Sequence, residues 1–432
     1  MKQNLAANED APPAVHESAE SPRAVDPKPV DPKSAETKSA ETKSGRRAPR
    51  EPAGGVTRVV RITSPESLVR FVPRLLGFQP SNSMVLMGTE PPRARVRLTL
   101  RYDLPDPADP DLPREIARHA VAVLGAQCIR TAVGVGYGPS ALVTPVADAI
   151  REVAGRDGMR VSELLRVEGQ RYWSYLCRDK ACCPPEGTPF TAEDPRTISA
   201  EAGEMRVLAS RAELAATVAP FDGDTAEIMH AATRRAEEHS TRLTESAERP
   251  KRSERAGQAE RTPRSARSAR GGRSGSSRRA LISAGLGAVR EAIDRYRRGG
   301  RIEAGDSAAW LTLVLRNLRV RDDAWARMDP KHREAHLRLW TDLTRLARPG
   351  YVPAPAALLA FVAWQSGNGA LANVALDRAL REDPYYSMAQ LLRQAIDSGA
   401  PPSMARLPLT PDQVAASYDE LEESEDEAED EE

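Results

Sequence analysis

Three of the four cysteines, Cys177, Cys182 and Cys183, fall in one short stretch, RYWSYLCRDKACCPPEGTP, residues 171–189. Thiolates are soft ligands for zinc and related ions, paired thiols can be oxidised to a disulfide, and buried thiols act as small apolar packing groups. The gap of four residues between Cys177 and Cys182 is wider than that of a zinc knuckle. Adjacent Cys182 and Cys183 grip one tetrahedral ion only with strain, and no histidine stands nearby in the sequence to complete four ligands. The metal reading therefore needs ligands from elsewhere, and a stable disulfide runs against a reducing compartment. The packing reading places Tyr172, Trp173 and Tyr175 along a strand, with Pro184, Pro185 and Gly187 stiffening the turn into which the cysteines bury. All three readings stay open, and no cofactor is assigned.

A second group lies in AVGVGYGPSALVTPVADAI, where a strand delivers Gly134, Gly136 and Gly138 to Ser140 ahead of a helix. Glycines let a ligand approach the backbone, and the first amides of a helix attract anions, which makes Gly136, Gly138 and Ser140 candidates for an anion site. The spacing fits neither the dinucleotide fingerprint nor the Walker loop, whose lysine is absent. A tight strand-to-helix connection explains the same glycines. Arg101 and Asp103 stand at the carboxyl end of a predicted strand, where open α/β sheets place ligand groups. A salt bridge closing the strand explains them equally. Tyr172 and Trp173 complete the candidate ligand-binding residues. HREAH sets His332 and His336 four apart on a predicted helix, but Arg333 stands where a zinc-protease helix carries its glutamate. Solvated helix surface is the expectation there. No catalytic constellation is complete, so the sequence decides neither for nor against an enzyme.

The elements that must position these residues begin with VTRVVRI, a β-rich run, and SPESLVRFVPRLLGF, a helix with Ser64 as N-cap, Pro65 in its first turn and Pro73 as a kink point. SMVLMG and ARVRLTLRYDLP read as strands, the second alternating Val96, Leu98 and Leu100 with polar residues. A helix from about Pro113 to Leu124, the strand CIRTAVGVGYG, a helix closing on Gly158, and a strand-turn-strand unit through Cys177 follow. Beyond residue 190 the periodicity is helical throughout, beginning with EMRVLASRAELAATVAP. The fold class is thus α/β, a mixed sheet with layered helices, followed by an all-α region. In that region Gly367, Ala372, Leu376, Ala379, Leu380 and Pro384 are spaced as in one tetratricopeptide unit.

Formal net charge is zero, and charge is strongly segregated. Arg249 to Arg279 is rich in Arg, Ser and Gly, and Asp419 to Glu432 is almost wholly acidic. Like-charge blocks stay solvated, so the expected organisation is a disordered arm over 1–54, an α/β domain over 55–190 and a helical continuation over 191–235. A disordered insertion over 236–279, a helical region over 280–400 and an acidic disordered tail over 401–432 complete it. The basic block suits non-specific nucleic-acid binding through phosphates, and the helical region suits a protein partner. No apolar run approaches the roughly 18 residues of a membrane span, and the first residues lack a signal peptide's apolar core. No integral membrane association and a cytoplasmic location are the expectations.

Taken in order, LVRFVPRLLGFQPSNSMVLMG, LRYDLP, VGYGP, RYWSYLCRDKACCPPEGTP and LLAFVAWQSGNGALANVALDRALREDPYYSMAQLL resemble an actinobacterial family catalogued as a domain of unknown function. The resemblance spans about residues 56–400 and implies a cytoplasmic bacterial protein with an α/β part followed by helices. It supplies no activity. It singles out Arg101, Asp103, Gly136, Gly138, Tyr172, Trp173, Cys177, Cys182 and Cys183 as family pattern. The functional expectation is a non-catalytic binding or adaptor protein, the alternative being an enzyme or small-ligand sensor with an anion site at the Gly136 loop.

Overall fold

The computed structural model describes residues 62, 64–91, 95–104, 109–191, 207–248, 263–404 and 410–420. The arm over 1–54, the run VTRVVRI as far as Arg61, residues 249–262 of the basic block and the acidic residues from Leu421 onward lie outside them.

Helix α1 (Pro65–Leu76) starts where the sequence signals it: Ser64 and Ser67 exchange a reciprocal capping box, and Gly77, at φ 76°, ends the helix. Pro73 lies inside α1 and cannot donate to the carbonyl of Val69 one turn earlier. The hydroxyl of Tyr137 donates to that carbonyl instead, at 3.2 Å.

Six strands follow: β1 (Ser83–Glu90), β2 (Arg95–Asp103), β3 (Thr131–Tyr137), β4 (Arg160–Glu168), β5 (Arg171–Ser174) and β6 (Thr188–Pro189). They form one sheet in the order β2-β1-β3-β4-β5-β6. Only β3 and β4 pair in parallel, joined by the crossover helix α3 (Ser140–Arg156), while every other pair is antiparallel. The sheet is therefore mixed, as expected. Strand β1 is buried from Ser83 to Thr89 and lies inside the sheet between β2 and β3, whereas β2 is an edge.

The period-two alternation of β3 sorts the two faces. Ala132, with Met84, Leu86 and Leu164, packs beneath α2 (Leu112–Ala126) and α3. Val135 and Tyr137, with Val85, Met87, Leu165 and Val167, belong to a core shared with α1 and the C-terminal helices. Gly134 and Gly136 lie on the α2/α3 side, where a Cβ on Gly136 would stand 2.3 Å from Val143 Cγ1. Gly136 lets α3 approach the sheet closely, whereas a Cβ on Gly134 would meet Leu164 of β4 at 2.5 Å.

The helical region contains α4 (Arg211–Ala216), α5 (Gly223–Glu248), α6 (Pro263–Arg297), α7 (Asp306–Val314), α8 (Leu318–Ala326), α9 (Arg333–Leu346), α10 (Pro353–Gln365), α11 (Gly369–Glu382) and α12 (Ser387–Asp397). Helix α10 is buried from Pro353 to Trp364 and forms the centre of this part. The helix expected over EMRVLASRAELAATVAP is shorter. Leu208 bridges to Phe78 in extended conformation, and the helix begins only after Ser210, whose side chain caps Glu213. Helices α5 and α6 carry regular backbone into the segment expected as a disordered insertion. The tail expectation also changes, because residues 411–420 form a further helix, α13. Val414 is buried, Tyr418 donates to Asp322 at 2.6 Å, and Asp419 pairs with Arg319 at 2.7 Å. Those contacts hold α13 on α8 despite the acidic sequence that follows. Among the described residues no helix is long and apolar enough to cross a membrane.

Candidate metal centre

Strands β5 and β6 pair at Arg171 with Pro189 and at Tyr172 with Thr188, so residues 175–187 form the loop of a hairpin. All three clustered cysteines lie in it. The loop is held from inside by β5. The indole of Trp173 donates to the Pro185 carbonyl at 2.9 Å, and Arg171 Nη1 donates to the Gly187 carbonyl at 2.7 Å. The Trp173 ring also stacks on the Arg166 guanidinium, 3.7 Å from ring centre, and Arg166 pairs with Glu168. Gly187 closes the turn by donating to the Pro184 carbonyl at 2.9 Å, and its φ of 83° is one that glycine adopts freely. A Cβ on Gly187 would stand 2.5 Å from Trp173 Cε2.

The approach to the cysteines is ordered by local turns. Ser174 Oγ donates to Glu163 at 2.9 Å and accepts from the amides of Leu176 and Cys177 at 3.2 and 3.1 Å. Asp179 accepts the Ala181 amide on its carboxylate at 2.9 Å and the Cys183 amide on its carbonyl at 2.7 Å. These turns fold the segment back so that the sulfurs of Cys177, Cys182 and Cys183 all lie within 4.8 Å of one another. Among the described residues no histidine or carboxylate joins that group. Cys128, exposed beyond α2, stands apart.

The packing expectation for these thiols changes. Cys182 is exposed and Cys177 and Cys183 are half-buried, because the loop projects from the sheet and Trp173 supplies its apolar anchor. Burial, together with the thiols of Cys177 and Cys182, pushes the Cys183 thiol up to about 12. Three thiols sharing one space disfavour a lone thiolate, and a cation among thiolates reverses that cost.

The other candidate residues are placed as follows. Arg101 donates to Asp103 at 2.6 Å and to Ser83 at 2.7 Å, which makes the pair a strand-end salt bridge. It lies on β2, separated from β5 by β1, β3 and β4, and does not join the cysteines. The space above Gly136 is filled by Val143. Gly138 has φ 138° and passes close to Asn82. Ser140, in the first turn of α3, bonds to Thr144 at 2.9 Å, and Thr144 bonds to the Tyr175 hydroxyl at 2.8 Å, so this helix start touches the strand exit that leads to Cys177. Tyr172 packs on Phe190, with ring centres 6.3 Å apart.

HREAH is solvated surface only in part, with Arg333 and Glu334 exposed and Ala335 and His336 buried. His332 pairs with Asp329 at 2.9 Å, but His336 is 1% exposed on the buried face of α9, with no partner for either ring nitrogen among the described residues. Ser174, Asp179, Arg171 and Arg166 are site residues that the sequence reading missed. Ser174 three residues before Cys177 and Asp179 two before Ala181 are legible turn spacings. The stacking of Arg166 on Trp173 requires the β4–β5 register.

Three cavities have other linings. One of about 510 Å³ borders the same strand pair and is lined by Glu66, Glu168, Gln170, Arg171, Pro189 and Phe190. One of about 350 Å³ lies at Phe221 and Arg345, and one of about 670 Å³ at His119 and Arg393.

No curated protein and no solved structure matches the chain. From residue 65 to residue 403, a span that takes in the sheet, the cysteine loop and the helices through α12, the chain matches the family described as a domain of unknown function (DUF4192), and it belongs to that family.

Proposed function

We propose that the protein is a non-catalytic binding protein and that Cys177, Cys182 and Cys183 are its ligand site, taking a thiophilic divalent ion of the zinc class. The observation that carries this is the mutual approach of the three sulfurs to within 4.8 Å. With metal–sulfur bonds of about 2.3 Å, two thiolates on one tetrahedral ion stand about 3.8 Å apart, so closure asks for a contraction of about 1 Å or less. Adjacent cysteines meet the group because the Asp179 turn folds the chain back on Cys177. Oxidation of one pair would leave the third thiol over, whereas an ion uses all three.

The helical part supports the adaptor side of this reading. Helices α10 and α11 form a hairpin around Gly367 at φ 76°, with Ala372, Leu376 and Ala379 buried at its contact, a tetratricopeptide-like arrangement. An anion site at the Gly136 loop draws less support, because Val143 occupies the space that the glycine leaves.

The test is the metal content of full-length protein purified without chelator, beside Cys177→Ser, Cys182→Ser and Cys183→Ser. About one zinc-class ion per chain, lost in each variant while the circular dichroism spectrum is kept, is the expected result. Metal-free protein that also fails to take up added zinc, or variants that bind as well as the parent, would sink the reading.

A further inference from the structure

Resting on that reading, we infer that three donors among the described residues hold the ion and that its remaining position takes an external ligand, a small anionic thiol. Four features lead there. First, the three cysteine sulfurs form a group to which no histidine or carboxylate contributes among the described residues. The nearest acid in sequence, Asp179, has its carboxylate turned back onto the Ala181 amide and its carbonyl onto the Cys183 amide. A zinc-class ion completes four positions, and a site with three protein ligands leaves one for a molecule from solution.

Second, the site is open on one side, since Cys182 is exposed and its partners are half-buried. Third, the chain's own hydrogen bonds hold the loop. Trp173, Arg171, Ser174 and the Gly187 turn hold it through hydrogen bonds of 2.7 to 3.2 Å. Structural zinc sites have four protein ligands and supply folding energy, whereas this loop is held by hydrogen bonds and presents an incomplete sphere. Fourth, the loop carries two exposed cations, Arg178 and Lys180, beside the exposed acids Asp179, whose carboxylate accepts the Ala181 amide, and Glu186.

Softness selects the donor, because thiolate suits an ion already bound by thiolates. Charge selects its substituent. A divalent ion with three thiolates carries one negative charge and with a fourth carries two, which Arg178 and Lys180 offset while attracting a carboxylate on the incoming molecule. Binding the ion releases three cysteine protons to solvent. The external thiol then binds through sulfur, displaces water and releases its own proton, with no change of oxidation state.

The experiment uses the full chain loaded with cobalt(II), whose thiolate-to-metal absorption counts bound sulfurs. Three chain thiolates should give an initial band that rises by about one-third on titration with 3-mercaptopropionate, as three thiolates become four. The neutral probe 2-mercaptoethanol should bind several-fold more weakly, and Arg178→Gln with Lys180→Gln should remove that difference, as should raised salt. A cobalt band that neither thiol alters overturns the open position. Equal binding of the two thiols overturns the anionic assignment. Absence of any thiolate-to-cobalt band overturns the metal reading itself, and the inference falls with it.

Discussion

His336 shows at the scale of one residue what burial does to a titrating group. It is closed in by α9 and its neighbours, and the charged groups around it are Arg297, Asp329 and His332. Burial first, and the Arg297 charge after it, lower its pKa from 6.5 to about 4. The unfolded chain therefore takes up this proton at higher pH than the folded one does. Stability is full above pH 6.5 and falls as pH drops from there toward about 4. The loss across that window is on the order of 3 kcal/mol. Chemical denaturation at several pH values should show this slope in the parent and a flatter one in His336→Leu, which removes both unpartnered nitrogens. Equal slopes would show that the proton is taken up elsewhere. At this scale the sequence was an uneven guide. HREAH gave a helical spacing, but which face of α9 would be buried depended on helices far along the chain. The cysteines announced themselves by type, while their convergence depended on turns at Ser174 and Asp179.

Among the elements, α1 was nearly fully legible: Ser64, Pro65 and Gly77 mark its cap, first turn and stop. Pro73 promised a kink, and the structure answers with Tyr137, whose hydroxyl donates to the Val69 carbonyl that Pro73 cannot reach. Tyr137→Phe should cost about 1–2 kcal/mol in chemical denaturation, since it orphans a buried carbonyl. In a Pro73→Ala background the amide of residue 73 can donate to that carbonyl, so the same change should cost much less. A double-mutant cycle without coupling would refute the exchange. Strands β1 to β5 followed from alternation and apolar runs, whereas the two residues of β6 carry no pattern of their own. They are a strand only because the loop before them is pinned to β5. The glycines of β3 suited either a ligand or a tight strand-to-helix connection, and Gly136 makes room for Val143 of α3. Sequence shows that space is left, and only packing shows what fills it.

For the whole molecule, the face of the sheet opposite α2 and α3 belongs to the same apolar core as the C-terminal helices. Within the helical region, Arg211 of α4 pairs with Asp377 of α11 at 2.7 Å, 166 positions away in the chain. The α/β and helical parts should accordingly unfold together. Trp173 reports on the sheet, while Trp310, Trp325, Trp340 and Trp364 report on the helices. Denaturation followed by fluorescence of a variant retaining only Trp173, and by helical circular dichroism, should give coincident midpoints. Separated midpoints would show two independently stable parts. Alternation and periodicity pointed to an α/β part followed by helices, but their shared core is a long-range fact that periodicity does not contain.

Among the described strands β2 is a long edge of the sheet, and an edge of this kind invites another chain to add a strand. Its sequence begins Arg-Val-Arg, with Arg95 exposed and Arg97 answered only by a partly exposed Glu90 at 3.5 Å. A second copy aligning there would bring arginine against arginine, and like charges opposed across a strand pair repel. The guanidinium groups on the solvated face of β2 thus keep one molecule from continuing into the next.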